Sequence, residues 1–177
     1  MKKSRILVML FLLITALSCK KDSKSEKTIS ETGDLNQTES RTEVKFSEEN
    51  VQAIYENYLA IKAGLVNADL VEVRNLSKKF EAILQDSEEH KQLKATLKLI
   101  SLTKDIQKQR DFFVTITNEV TRIITNAQII SGAVYKQYCP MALEGSGGYW
   151  LSDSEEVRNP YFGSKMLKCG SVKQTIQ

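Results

Sequence analysis

Four sulfur-bearing side chains stand in two tight clusters, Cys139-Pro140-Met141 and Met166-Leu167-Lys168-Cys169. Thiolate and thioether together are the soft donor set that selects Cu(I), and chemically Ag(I), over hard ions. Zn(II) prefers cysteine with histidine; the segment beyond Gly132 has no histidine and would have to recruit carboxylates such as Glu144 or Asp153. Trp150 falls between the clusters, where an indole face can lie over a soft cation and cap it. The same sulfurs have a second chemistry, because two cysteines in an oxidising compartment commonly pair. A Cys139–Cys169 bridge would close a loop of about thirty residues and add about 3–4 kcal/mol on the chain-entropy account. Met141 and Met166 would then fill gaps around the bridge, with Trp150 as apolar anchor. A redox couple alternating between thiolates and disulfide is the third possibility. The residues alone leave all three open.

Enzymatic chemistry finds little support. His90 is the sole histidine, far along the chain from any nucleophile signature, and no Cys–His or HExxH pattern exists. His90 reads as a partly exposed helix-start residue. Arg110 reads as a long stem covering the end of a helix bundle, its head in water or on a carboxylate. CxxC is absent, and Gly145-Ser146-Gly147-Gly148 lacks the strand–GK–helix context of a phosphate loop. No catalytic residue is assigned.

The sulfur clusters lie in a segment of distinct composition, residues 132–177. It holds both prolines, six of the eight glycines, the only Trp and four of the six tyrosines. Within it, 133–138 reads as a short strand, 145–148 as a mobile loop, Asn159-Pro160 as a turn, and 154–156 as a short helical turn capped by Ser152 or Asp153. Residues 46–131 carry helical periodicity instead. Ser47 opens a first run through Val51, Ile54, Tyr55, Tyr58, Ile61 and Leu65, with Gly64 near its stop. Asn67 or Asp69 caps a second, through Leu70, Val73, Leu76, Phe80, Ile83 and Leu84. Ser87 caps a third, through Leu93, Leu97 and Ile100. A fourth begins near Asp105 and carries Ile106, Phe113, Ile116, Val120, Ile123 and Ile124. Short polar connections favour antiparallel neighbours. The expected fold class is therefore all-α, an up-and-down four-helix bundle with an irregular, sulfur- and glycine-rich C-terminal subdomain packed on it.

The first residues set the compartment. MKKSR is followed by the twelve-residue apolar stretch ILVMLFLLITAL and then Ser18-Cys19, a signal-peptide pattern ending in A-L-S-C, which looks like a bacterial lipobox. Residues 1–18 are the expected signal peptide and Cys19 the expected lipidation site. Two or more acyl chains would make the membrane anchor stable. Residues 19–45 are the expected lipidated N-terminus and disordered tether: 12 of residues 20–45 are charged and only Ile29, Leu35 and Val44 are apolar. As a coil this stretch spans about 25–30 Å. The formal charge of +3 disappears once Lys2, Lys3 and Arg5 are removed, leaving 22 basic against 22 acidic residues. A neutral chain without a basic block argues against nucleic-acid binding.

VYKQYCPMAL, GGYWLS, VRNPYFG and MLKCG resemble an uncharacterised bacterial helical domain, catalogued as a domain of unknown function. That domain occurs as stand-alone lipoproteins and at the C-terminus of periplasmic adaptor subunits of copper/silver efflux pumps. The likeness covers roughly residues 48–173, with weak helical matching early. In the tail Cys139, Pro140, Met141, Trp150, Asn159, Pro160, Tyr161, Phe162, Gly163, Met166, Cys169 and Gly170 all match. The chain lacks the adaptor's barrel and hairpin regions. The resemblance implies heavy-metal binding and raises it above the disulfide. The expected function is a non-enzymatic lipoprotein of the cell envelope, at the outer membrane and facing periplasm or surface. It would bind Cu(I) or Ag(I) through Cys139, Met141, Met166 and Cys169, capped by Trp150, and buffer copper or hand it to an efflux component. The alternative is a Cys139–Cys169-stapled interaction module with no metal.

Overall fold

Each apolar stripe of the middle region forms a helix in the computed structural model, which describes residues 33–177. The signal segment, Cys19 and the tether as far as residue 32 lie outside the described residues. Helix α1 spans Glu49–Val66, α2 Leu70–Ile83, α3 Lys91–Leu102 and α4 Ile106–Thr125. They pack in cyclic order, α1 on α2, α2 on α3, α3 on α4 and α4 back on α1. Two starts are fixed by carboxylate caps: Asp69 accepts from the N–H groups of Val71 and Glu72, and Asp105 from those of Gln107 and Lys108. Ser47 and Ser87 cap no helix directly. Glu48 precedes α1 without a side-chain cap, and Ser87 accepts from His90 N–H one turn before α3. The stripes are buried as expected at Tyr58, Ile61, Leu65, Val73, Phe80, Leu93, Leu97, Phe113, Ile116 and Val120. Ile83, at the last turn of α2, is instead 49% exposed. Among the described residues no helix is long and apolar enough to cross a membrane.

The all-α expectation is overturned by five strands in two antiparallel sheets among the described residues. Strands β1 (Lys45–Phe46) and β2 (Ile129–Ser131) form a short ribbon. Strands β3 (Val134–Cys139), β4 (Gly148–Ser152) and β5 (Ser171–Ile176) form a sheet in the order β4-β3-β5. Of these only β3 is written plainly in the sequence. The core-facing side of β3 and β4 includes Gln137 and Ser152, both fully buried, so apolar and polar residues do not alternate. β5 is mostly exposed and is ordered as an edge strand by backbone pairing with β3, which composition does not reveal. Residues 154–156 form no helical turn. Ser154 N–H bonds the Ser152 hydroxyl and Glu156 N–H the Ser154 hydroxyl, consuming the groups that would have capped one.

The tether expectation also changes from residue 33 onward. Residues 34–46 form a strap across the sheet region and α1 rather than a coil. Asp34 accepts from the Asn67 amide, Arg158 donates to Gln37 O, and Glu156 accepts from the N–H groups of Glu39 and Ser40. Thr42 N–H then bonds Asp153 O, and Val44 and Phe46 plug the core. The strap has too few apolar residues to order itself; it is ordered by polar groups between about thirty and 121 residues away, which a window composition cannot count.

Candidate functional site

Strand pairing brings the two sulfur clusters together. β3 ends at Cys139, paired with Gly148 on β4, and Tyr138 just before it pairs with Ser171 at the start of β5. Cys169 therefore arrives beside Cys139 although thirty residues separate them. Both cysteines are free; Cys139 is fully buried and Cys169 half-buried. The neighbouring Cys139 thiol and burial push the Cys169 thiol up to about 11, with a nearby Met141 backbone N–H acting the other way. At neutral pH Cys169 is a thiol, and a metal must displace its proton.

The loop that delivers Cys169 is built around Asn159, which is fully buried. Its amide donates to Cys169 O at 2.8 Å, its side-chain oxygen accepts Tyr161 N–H at 2.8 Å, and its own N–H bonds Leu167 O at 2.9 Å. Cys169 N–H in turn bonds Met166 O at 3.0 Å. Gly170 completes the approach at φ +142°, where a Cβ would stand 2.7 Å from the Trp150 ring and 2.9 Å from Tyr138 O. Only glycine fits there.

The structure thus sets Cys139 and Cys169 beside one another at one end of the sheet, and Met166 O accepts the Cys169 N–H. The methionine side chains differ: Met141 is 54% exposed and Met166 is half-buried. Trp150 is fully buried on the core side of Gly170, its indole N–H held by Gln137 at 2.7 Å. The Gln137 amide donates onward to the carbonyls of Ser154 and Glu155. Glu144 and Asp153 do not join the thiols: Asp153 pairs with Arg41 at 2.8 Å on the strap. Among the described residues no group of three or more His, Cys, Asp or Glu side chains converges. The neighbouring soft donors are two free cysteines, as many as a linear two-coordinate soft cation takes.

Several residues that hold this region were missed by the sequence reading. Arg110 is buried, and its head lies neither in water nor on a carboxylate. It donates to Pro160 O at 2.9 Å and to Leu65 O at 3.1 Å, a carbonyl in the last turn of α1 that also accepts the Ala68 N–H. It thereby ties the bundle to the Asn159 loop, and Gly163 (φ +57°) passes so close that a Cβ would meet Val66 O at 2.7 Å. Lys62 is buried as well, with Ser152 as hydrogen-bond partner at 3.3 Å, and burial draws its pKa down to about 8. Its position on an inward turn of α1 was the one available signal. His90 is a partly exposed helix-start residue, its Nδ1 3.4 Å from Gln85 O. A cavity of about 350 Å³ lies between strap and α1, walled in part by Val44, Tyr55, Leu59 and Asp153.

Residues 54–132 match the family described as "Protein of unknown function (DUF3347)". The matched span runs from α1 to Gly132 and stops before β3, so both sulfur clusters lie beyond it. It supports a domain of unknown function over the helical region. No curated protein and no solved structure matches the chain.

Proposed function

We propose that this protein is a non-enzymatic soft-metal-binding lipoprotein of the cell envelope, tethered through Cys19 and binding Cu(I) or Ag(I) at Cys139 and Cys169. The carrying observation is the juxtaposition of two free cysteines that β3–β5 pairing creates at one end of the sheet. Two neighbouring thiolates are the donor type that a soft monovalent ion takes. Met141 and Met166 flank the pair, and Trp150 backs it from the core. The role is to buffer copper or pass it to an efflux component by ligand exchange.

An anaerobic Cu(I) titration of the reduced full-length protein in detergent, against a strong chromophoric chelator, tests this. A one-to-one complex that withdraws copper is expected, lost in both Cys139→Ser and Cys169→Ser with helix content preserved by circular dichroism. Retained affinity in both variants would refute the assignment. The same juxtaposition also favours a second reading, in which the thiols oxidise to a structural bridge and the tail surface around Tyr149 and Phe162 meets a protein partner, Trp150 and Tyr161 being buried beneath it. Thiol counting after denaturation and chelation of protein taken from the envelope separates the two: zero reactive thiols supports the bridge.

A further inference from the structure

Two tyrosines and two lysines of the β4-β3-β5 sheet serve neither the core nor the thiol pair. Tyr138 on β3 and Tyr149 on β4 stand directly opposite in the ladder, so their rings share one face. The ring centroids lie 4.5 Å apart with the planes tilted by 39°. Lys136, two residues before Tyr138, points to the same face, and its ammonium sits 4.9 Å from the Tyr149 centroid. From β5, Lys173 brings its ammonium to 6.0 Å from the Tyr138 centroid. Both cations therefore rest on aromatic rings. The three strands contain no aspartate or glutamate, and among the described residues neither lysine forms an ion pair. Tyr149 is 42% exposed, Lys173 is exposed, and Tyr138 and Lys136 are half-buried.

The Gly145-Ser146-Gly147-Gly148 turn holds this group in place. It lies so close to Tyr138 that a Cβ at Gly147 would stand 2.6 Å from the ring's Cζ and 2.7 Å from its Cε2. Gly147 also has φ +82°, so glycine is required on both counts. The N–H groups of Gly145 and Gly147 both bond Ala142 O, at 3.1 and 2.9 Å, which fixes the turn. A turn without the context of a phosphate loop thus backs an aromatic pair.

An occupant of this face must bring a flat apolar surface for the rings and an anion for each ammonium. A uronate-type sugar does both: its C–H face packs on an aromatic ring, and its single carboxylate projects from the rim of the pyranose. One ammonium per tyrosine matches one carboxylate per sugar. An acidic peptide carries its carboxylates on flexible stems and would need other side chains to meet the rings. A nucleic acid spreads charge along its whole backbone and calls for more than two cations. We infer that Tyr138, Tyr149, Lys136 and Lys173 form a binding surface for a carboxylated polysaccharide. One sugar stacks on Tyr149 as Lys136 moves from the ring to its carboxylate, and Lys173 takes the carboxylate of a neighbouring sugar. This surface goes beyond the soft-metal reading and does not depend on it.

Isothermal titration of the full-length protein in detergent with oligogalacturonate tests this, beside neutral dextran of similar length and poly-L-glutamate of similar charge. Oligogalacturonate should bind, dextran should not, and poly-L-glutamate should bind about tenfold more weakly or less. Tyr149→Ala and Lys136→Gln should each weaken oligogalacturonate binding by about tenfold. Lys79→Gln, the same loss of charge at an exposed position of α2, should stay within about twofold of wild type. Failure of the wild type to bind, or equal weakening by Lys79→Gln, would overturn the surface. Dextran binding as tightly would remove the lysines from it. Poly-L-glutamate binding as tightly would overturn the sugar and make an acidic protein the occupant.

Discussion

In the helical region, buried polar side chains satisfy themselves locally. Ser77 bonds Val73 O, Thr96 bonds Gln92 O and Ser101 bonds Lys98 O, all within one turn of their own helix. In the sheet region they reach across the chain instead. Gln137 holds Trp150 and the carbonyls after Ser152, and Asn159 holds Cys169 O and Tyr161 N–H. Three buried helical residues break the local habit: Gln109 reaches Leu70 O within the bundle, while Lys62 toward Ser152 and Arg110 toward Pro160 face the sheet region. Tyr58 joins the regions as well, sharing a hydrogen bond with Thr117 and accepting Leu151 N–H at 2.9 Å. The helices form a scaffold whose polar groups are internal matters. The sheet region is positioned by a few non-local hydrogen bonds, and the sulfur pair depends on them.

That contrast can be broken most sharply at Asn159. Asn159→Ala strands Cys169 O and Tyr161 N–H in a buried setting and is expected to cost about 2–4 kcal/mol in urea unfolding. It should also speed labelling of Cys169 by a thiol reagent, because the loop that seats it loosens. Unchanged labelling would mean that strand pairing alone positions the sulfur.

Lys62 gives the next effect, of opposite sign. Its pKa falls from 10.5 to about 8 on folding because burial opposes the charge. Between those values the unfolded chain holds a proton that the folded chain has lost, so Lys62's contribution to stability rises with pH through that window. Below about pH 8 the penalty is at its full size. Lys62→Met is therefore expected to stabilise the protein by about 1–3 kcal/mol at pH 7, the advantage shrinking toward pH 10.5. A gap between variant and wild type that does not change with pH would show that Lys62 keeps its ordinary pKa and is better solvated than its burial implies.

Thr96→Val should have the smallest effect, under about 1 kcal/mol, since it removes a bond to the residue's own helix and keeps the shape. A cost matching that of Asn159→Ala would erase the distinction between the two regions.

The sequence carried most of the helical region: four amphipathic runs, Asp69 as one of two candidate caps, a fourth start near Asp105, and nearly every core position. Helical period and capping are local, written within a few residues of where they act. It also picked out Cys139 and Cys169 as the chemically informative pair, because sulfur was concentrated there and absent from the helices. The β4 and β5 strands, the strap of residues 34–46, the Arg110 clamp and the buried Lys62 were not legible. Each depends on a partner distant in the chain, and no local pattern records which carbonyl a guanidinium finds or which strand an exposed edge joins. Residue types by themselves determined what chemistry the sulfurs could do. That they meet, and in what order they face solvent, was decided by the β4-β3-β5 pairing and the buried Asn159, because antiparallel register and buried hydrogen bonds fix distance and exposure across thirty residues of chain.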